Sequence, residues 1–360
     1  MQAVVLRGGR LAVESVRDPE PGDGEVLVRT LACGICGSDL HAVKHGPTLK
    51  EVWSELGISG DPTEAMVLGH EFCAEILDHG PGTTRRLAAG TAVCGVPFLP
   101  RADGLEFIGY SNRVPGGYGE LMVLREELLL PVPEGLAPRL AALTEPVAVG
   151  VHAVNLGRLT SRDVPLVVGC GPVGLAVIAA LRLRGAAPIV AADFSPARRA
   201  LAERLGADVV VDPATTSPYA SWLEAAVART PEEAMPPSLV APGAPPLRPA
   251  VIFECVGVPG IVDQIVRGAP PQARVVVVGV CMERDSFQPL YAIGKEIQVQ
   301  FAFCYTPEEY AHTLAAIGAG RLDPEPLVTG RVDLAGVPGA FAELATPERH
   351  AKILVEPDRA

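Results

Sequence analysis

Eighteen consecutive residues without a charge, Val164 to Leu181, constrain this chain more than any other stretch. The run is long enough to raise the question of a membrane span. Gly169, Gly171, Pro172 and Gly174 stand in its middle, however, and divide a β-branched run from a helix-like one. An apolar strand feeding an apolar helix is what a sheet covered on both faces requires. Strands are expected at 164–168, 187–192, 208–212, 250–254, 273–280 and 296–303, with helices at 173–184, 196–206 and 259–268. Six strands joined by helices predict an α/β, doubly wound parallel sheet. Residues 213–249 depart from that rhythm. Nine prolines fall there, which predicts a Pro-rich surface insertion, partly helical over 221–229.

The same run carries the first chemical signal. Gly169-Cys170-Gly171-Pro172-Val173-Gly174 matches Gly-x-Gly-x-x-Gly between a strand and a helix, and Asp193 follows Gly174 by 19 positions at the end of the next strand. That context predicts dinucleotide binding. The glycines permit a tight turn and close approach to a pyrophosphate, and the helix N-terminus offers free N–H groups to phosphate. Asp193 suits the adenosine ribose hydroxyls and repels a 2′-phosphate, so NAD is expected rather than NADP. Arg198 and Arg199 moderate that preference, since either side chain can turn towards a phosphate.

The first 140 residues read differently. Short strands are expected at 2–6, 11–16, 25–32, 71–78, 90–96 and 120–124, with a helix over 141–156. Residues 44–66 read as a surface loop with a short helix near 49–56, and 97–117 as loop. Within this part lie Gly34-Ile35-Cys36-Gly37-Ser38-Asp39-Leu40-His41 and Gly69-His70-Glu71. Cys36 and His70 suit a borderline metal such as zinc, and a carboxylate from Glu71 or Glu145 can complete the set. Ser38 and His41 stand where a proton leaving a metal-bound oxygen could be carried away. The eight cysteines, with no secretory signal visible, read as thiols or ligands in a cytoplasmic protein rather than a disulfide framework. Cys33, three residues before Cys36, reads as a buried small residue and not as half of a redox pair. A formal charge of −12 argues against nucleic acid and anionic membranes as partners.

Taken together, these motifs resemble the zinc-dependent medium-chain alcohol and polyol dehydrogenases, over nearly the whole chain. Met1–Val5, Gly116-Gly117-Tyr118-Gly119-Glu120, Glu145–Val149 and Phe253-Glu254-Cys255-Val256-Gly257 carry the resemblance along with the segments above. It implies a GroES-like β-barrel catalytic domain from residues 1–147 and 305–360, around a Rossmann domain at 148–304 holding the insertion at about 213–249. It implies Cys36, His70 and Glu71 or Glu145 as zinc ligands, Asp39 orienting His70, and Ser38 passing the alcohol proton through the nicotinamide ribose towards His41. Val256, Val280 and Phe303 would bracket the nicotinamide. Ser38 and Asp39 could also simply cap a helix.

Many such relatives hold a second zinc on four cysteines after the Gly90 strand. Here residues 94–119 contain Cys94 alone, so one zinc per subunit and a loop held by packing are expected. The expected reaction is NAD-linked interconversion of a secondary alcohol or polyol with its ketone. The Glu145-Pro146 motif and Phe301–Thr306 resemble the sorbitol, butanediol and threonine dehydrogenase branch more than the ethanol branch. NADPH-dependent aldehyde reduction and a non-catalytic nucleotide-binding protein are the alternatives. A homo-oligomer, dimer or tetramer, is implied, with 296–303 as a place for subunits to pair.

Overall fold

The computed structural model describes residues 1–236, 245–346 and 348–358. Part of the expected insertion, including Pro237 and Pro242, lies outside the described residues. The chain divides into two compact units. One comprises Met1–Pro146, Pro307–Arg321 and the chain from Val328. The other comprises Val147–Thr306 and Leu322–Leu327.

The second unit is built on six parallel strands in the order Val209–Val211, Val190–Ala192, Val164–Val168, Ala250–Glu254, Arg274–Val277 and Gln298–Phe301. The direction of winding reverses between Val164–Val168 and Ala250–Glu254. Crevices at such a switch point bind ligands beyond the strand C-termini. The charge-free run is there because Val164–Leu166 and Leu175–Leu181 are buried almost throughout. Its helix, Pro172–Leu183, starts with Pro at the first helical position, where no N–H is missed. No helix among the described residues is long and apolar enough to cross a membrane.

Two readings of this unit change. The helix expected at 221–229 lies instead at Pro218–Ala225, capped by Ser217, and is a crossover helix of the sheet and not part of a surface insertion. Trp222 is fully buried in the core beneath it and donates from Nε1 to the Val164 carbonyl at 2.9 Å. A further helix, Pro289–Lys295, was not expected from the sequence.

The first unit has at its centre the strand Glu25–Gly34, which pairs antiparallel with Glu71–His79, Leu121–Arg125 and Lys352–Val355. Val26 and Val28 point into the core, as the period-two alternation predicts. A three-stranded sheet of Arg10–Ser15, Gln2–Arg7 and Met66–Val67 shares that core. Residues 44–66 are largely helical: Gly37–Lys44 runs into Gly46–Leu56, the latter ended by Gly57 in the left-handed region. The segment 97–117 contains a hairpin, Phe98–Arg101 with Gly104–Phe107. Buried carboxylates hold it, not packing alone. Glu25 accepts two bonds from Arg101 at 2.7 and 2.9 Å, and Glu106 accepts from Arg113 at 2.9 Å and Ser111 at 2.6 Å.

Candidate active site

Cys36 leaves the central strand and stands at the N-cap of the helix Gly37–Lys44. The Asp39 carboxylate accepts from the Cys36 N–H at 2.9 Å, closing the first turn and fixing the thiol. His70 immediately precedes the neighbouring strand and Glu71 opens it, opposite Gly34. The result is local convergence from distant sequence. Donor atoms of Cys36, His70 and Glu71 lie within 4.8 Å of one another, the one such group of three or more among the described residues.

Asp39 is fully buried and does more than cap the helix. Its Oδ2 accepts from the Tyr118 hydroxyl at 2.6 Å, and its Oδ1 faces His70 Nδ1 at 3.5 Å, too long for a hydrogen bond. That Nδ1 is buried and has no closer partner. Burial alone would raise the Asp39 pKa, but His70 and the bonds from Tyr118 and Cys36 hold it below the ordinary carboxylate value. Burial alone would likewise discharge His70. Asp39 and then Cys36 override it and raise the imidazole well above its ordinary value. The surroundings therefore draw positive charge onto this spot, as a site for a soft or borderline cation must.

Behind the group stands Lys352, fully buried, which donates to both Glu71 oxygens at 2.6 and 2.7 Å and to the Ile35 carbonyl at 3.0 Å. Burial works against its charge, but Glu71, with Cys36 and Glu145, overrides it and keeps the ammonium. Glu145 is buried at the start of the helix Thr144–Leu156, outside the group of three. The Ser38 Oγ accepts from the Tyr110 hydroxyl at 2.6 Å. His41 lies one turn further along, its pKa lowered by burial and by His45 and Lys44. The Cys33 thiol is pushed well up by burial, then by Asp39 and Glu71, which suits an inert core residue.

In the other unit Gly169 has φ +94°, and a Cβ on Gly174 would lie 1.9 Å from the Gly169 carbonyl oxygen. Asp193 braces this turn: its carboxylate accepts from the N–H groups of Cys170 and Ser195, each at 2.8 Å. Arg198 leans towards Gly171, and its Nε is buried without a partner. Arg199 instead donates to the Asp193 and Phe194 carbonyls and pairs with Asp212 at 3.1 Å. Val256 and Val280 are exposed and lie either side of Gly257, whose added Cβ would meet Val280 backbone at 2.7 Å. Phe303 is also exposed, beyond the edge strand.

Three residues central to the first constellation escape a sequence reading. Tyr110 lies in the segment read as loop and carries no local signature. Tyr118 sits in a motif but shows nothing of its bond to Asp39. Lys352 had one signal, a lone charge entering an apolar terminal strand.

Residues 22–134 match the alcohol dehydrogenase GroES-like domain family, and residues 172–319 match the zinc-binding dehydrogenase family. (R,R)-Butanediol dehydrogenase of Bacillus subtilis is 29% identical over 357 residues, covering 97% of each chain. Sorbitol dehydrogenase of Bos taurus is 28% identical over 359 residues, covering 95% of this chain and 92% of the other. A solved structure from Sinorhizobium meliloti, described as a zinc-binding dehydrogenase bound to NADP, superposes with a TM-score of 0.79 at 26% identity, covering 99% of both chains.

Proposed function

Because the chain belongs to the zinc-dependent medium-chain dehydrogenases and carries out NAD(P)-linked alcohol or polyol oxidoreduction, we propose that it oxidises a secondary alcohol of a diol or polyol with NAD, using one zinc per subunit. The observation that carries this reading is the approach of the Cys36 and His70 donor atoms to within 4.8 Å, beside a Ser38 hydroxyl already held in a hydrogen bond. Cys36 and His70 would hold the zinc. Since Lys352 occupies both Glu71 oxygens, Glu145 is the third protein ligand in this reading and Glu71 the anionic partner of Lys352. Zinc, when bound, stabilises the alkoxide and polarises the carbonyl.

The chain's own residues do the rest. Asp39 orients His70 by facing Nδ1, which leaves Nε2 for the metal. Ser38 takes the alcohol proton, and His41, neutral at pH 7 because its pKa is lowered, carries it onward. Gly169, Gly171, Pro172, Val173 and Gly174 cradle the pyrophosphate, with Arg198, whose Nε lacks a partner, as the cation beside it. Asp193 meets the ribose hydroxyls and disfavours a 2′-phosphate, and Val256 and Val280 offer the nicotinamide an apolar seat.

The test is metal content per chain for wild type, Glu145→Gln and Glu71→Gln, with NAD and NADP reduction measured over diols, polyols and simple alcohols. One zinc, lost in Glu145→Gln, and NAD-linked turnover of a secondary alcohol support the reading. Zinc lost only in Glu71→Gln reverses the ligand assignment, and preferred use of NADP overturns the cofactor assignment.

A further inference from the structure

We infer that Tyr110 is a positioning residue for the proton-transfer step: its phenol fixes the Ser38 hydroxyl so that one lone pair stays available to the alcohol proton. The inference rests on the Ser38 relay proposed above. It goes beyond that relay by assigning a task to the segment 97–117, where the four cysteines of a second zinc site are missing.

The Tyr110 hydroxyl donates to Ser38 Oγ at 2.6 Å and lies 3.3 Å from Asp39 Oδ1. Its ring stands against His70 at 5.0 Å between centroids, and Trp53 meets its other side edge-on at 5.2 Å. Its backbone is equally fixed. The Tyr110 N–H donates to the Phe107 carbonyl at 2.9 Å, and Gly60, at φ +128°, passes so close that a Cβ there would come within 2.1 Å of the Tyr110 carbonyl oxygen. The side chain has little freedom to leave Ser38.

A serine hydroxyl has one proton and two lone pairs. A phenol keeps its proton at neutral pH, so Tyr110 serves Ser38 as a donor. It fills one Ser38 lone pair and leaves the second lone pair, together with the Ser38 proton, for the relay. In the oxidative direction the alcohol O–H breaks and a new O–H forms on Ser38 as the original Ser38 proton passes towards His41. A bound nicotinamide would accept the hydrogen of the alcohol carbon with its electron pair. Tyr110 keeps its own proton throughout. Its dipole opposes the negative charge that builds on Oγ when the outgoing proton moves first.

The experiment uses zinc-loaded enzyme with NAD: Tyr110→Phe, Ser38→Ala and the double variant. Tyr110→Phe keeps the ring contacts and removes only the hydroxyl. We expect kcat to fall about ten- to hundred-fold with the alcohol KM nearly unchanged. The solvent deuterium isotope effect should rise, and the effect of deuterium at the alcohol carbon should fall. Zinc content, NADH fluorescence titration and Tm should match wild type. In the Ser38→Ala background Tyr110→Phe should cost nothing further. Wild-type kcat in Tyr110→Phe, an equal loss in both backgrounds, or loss of zinc from Tyr110→Phe would each overturn the inference. Full turnover by Ser38→Ala would instead remove the relay itself, and this inference with it.

Discussion

At the scale of single residues, the candidate site depends on charges that are out of water and hold one another. Lys352 and Glu71 are the clearest case. Removing one member of such a pair leaves the other buried and uncompensated, at a cost of about 3–5 kcal/mol. Lys352→Met should therefore lower Tm sharply in calorimetry, and the double change with Glu71→Gln should recover much of the loss. His41 sets a pH dependence of known sign. Its folded pKa lies below the ordinary 6.5 because of burial, then His45 and Lys44. The unfolded chain thus takes up the proton first as pH falls. The stability contribution is complete above the ordinary value and is lost as pH drops through the lowered one. Oxidation rate should fall in the same window, as the imidazole ceases to accept protons. A pH series of Tm and of alcohol oxidation for wild type and His41→Gln checks both, and the variant should lack the step in Tm. Cys36, His70 and Asp193 were legible in the sequence because each stands in a short local motif. Tyr110 and Lys352 were not, because their partners lie 72 and 281 positions away and no local pattern encodes such contacts.

At the scale of elements, the strand–turn–helix at Val164–Leu183 was readable almost to the residue, since glycine spacing and continuous apolarity reinforce each other. Gly174 is where the turn has no tolerance. An alanine Cβ would sit 1.9 Å from the Gly169 carbonyl oxygen, so Gly174→Ala should open the junction. NADH binding, followed by fluorescence, should weaken at least tenfold, while zinc content, which the proposed ligands of the other unit would set, should not change. The helix Pro218–Ala225 and the hairpin at 98–107 were read less well. In the first, prolines mark helix starts and not only loops, and Pro218 falls just inside the Ser217 cap. In the second, arginine–carboxylate pairs hold strands too short to show alternation.

At the scale of the whole molecule, the parallel sheet ends in an open edge. The strand Gln298–Phe301 is exposed along its length and, among the described residues, pairs on one side only. Phe301 is 69% exposed, and Leu290 and Ile293 on the adjoining helix are 71% and 72% exposed. Open edges and clustered apolar side chains are surfaces that proteins cover, and a second copy of the same strand is the occupant we propose. Ile293→Lys with Phe301→Asp should lower the oligomeric state read by light scattering, and a wild type that is already monomeric would overturn the assignment. The division into two units was legible from the change in rhythm near residue 164. The return of the chain's last residues to the first unit was expected from the family resemblance alone, because composition does not reveal which strands pair.

That returning strand also orders events in time. Ile35 and Lys352, joined by a hydrogen bond, are separated by 317 positions. At about 5–20 residues per second the ribosome releases the second roughly 15–65 s after the first. The parallel sheet, whose strands lie between 164 and 301, can close during that interval. Glu71 must wait for its counter-charge, so the nascent chain can complete its parallel sheet before the first unit is closed.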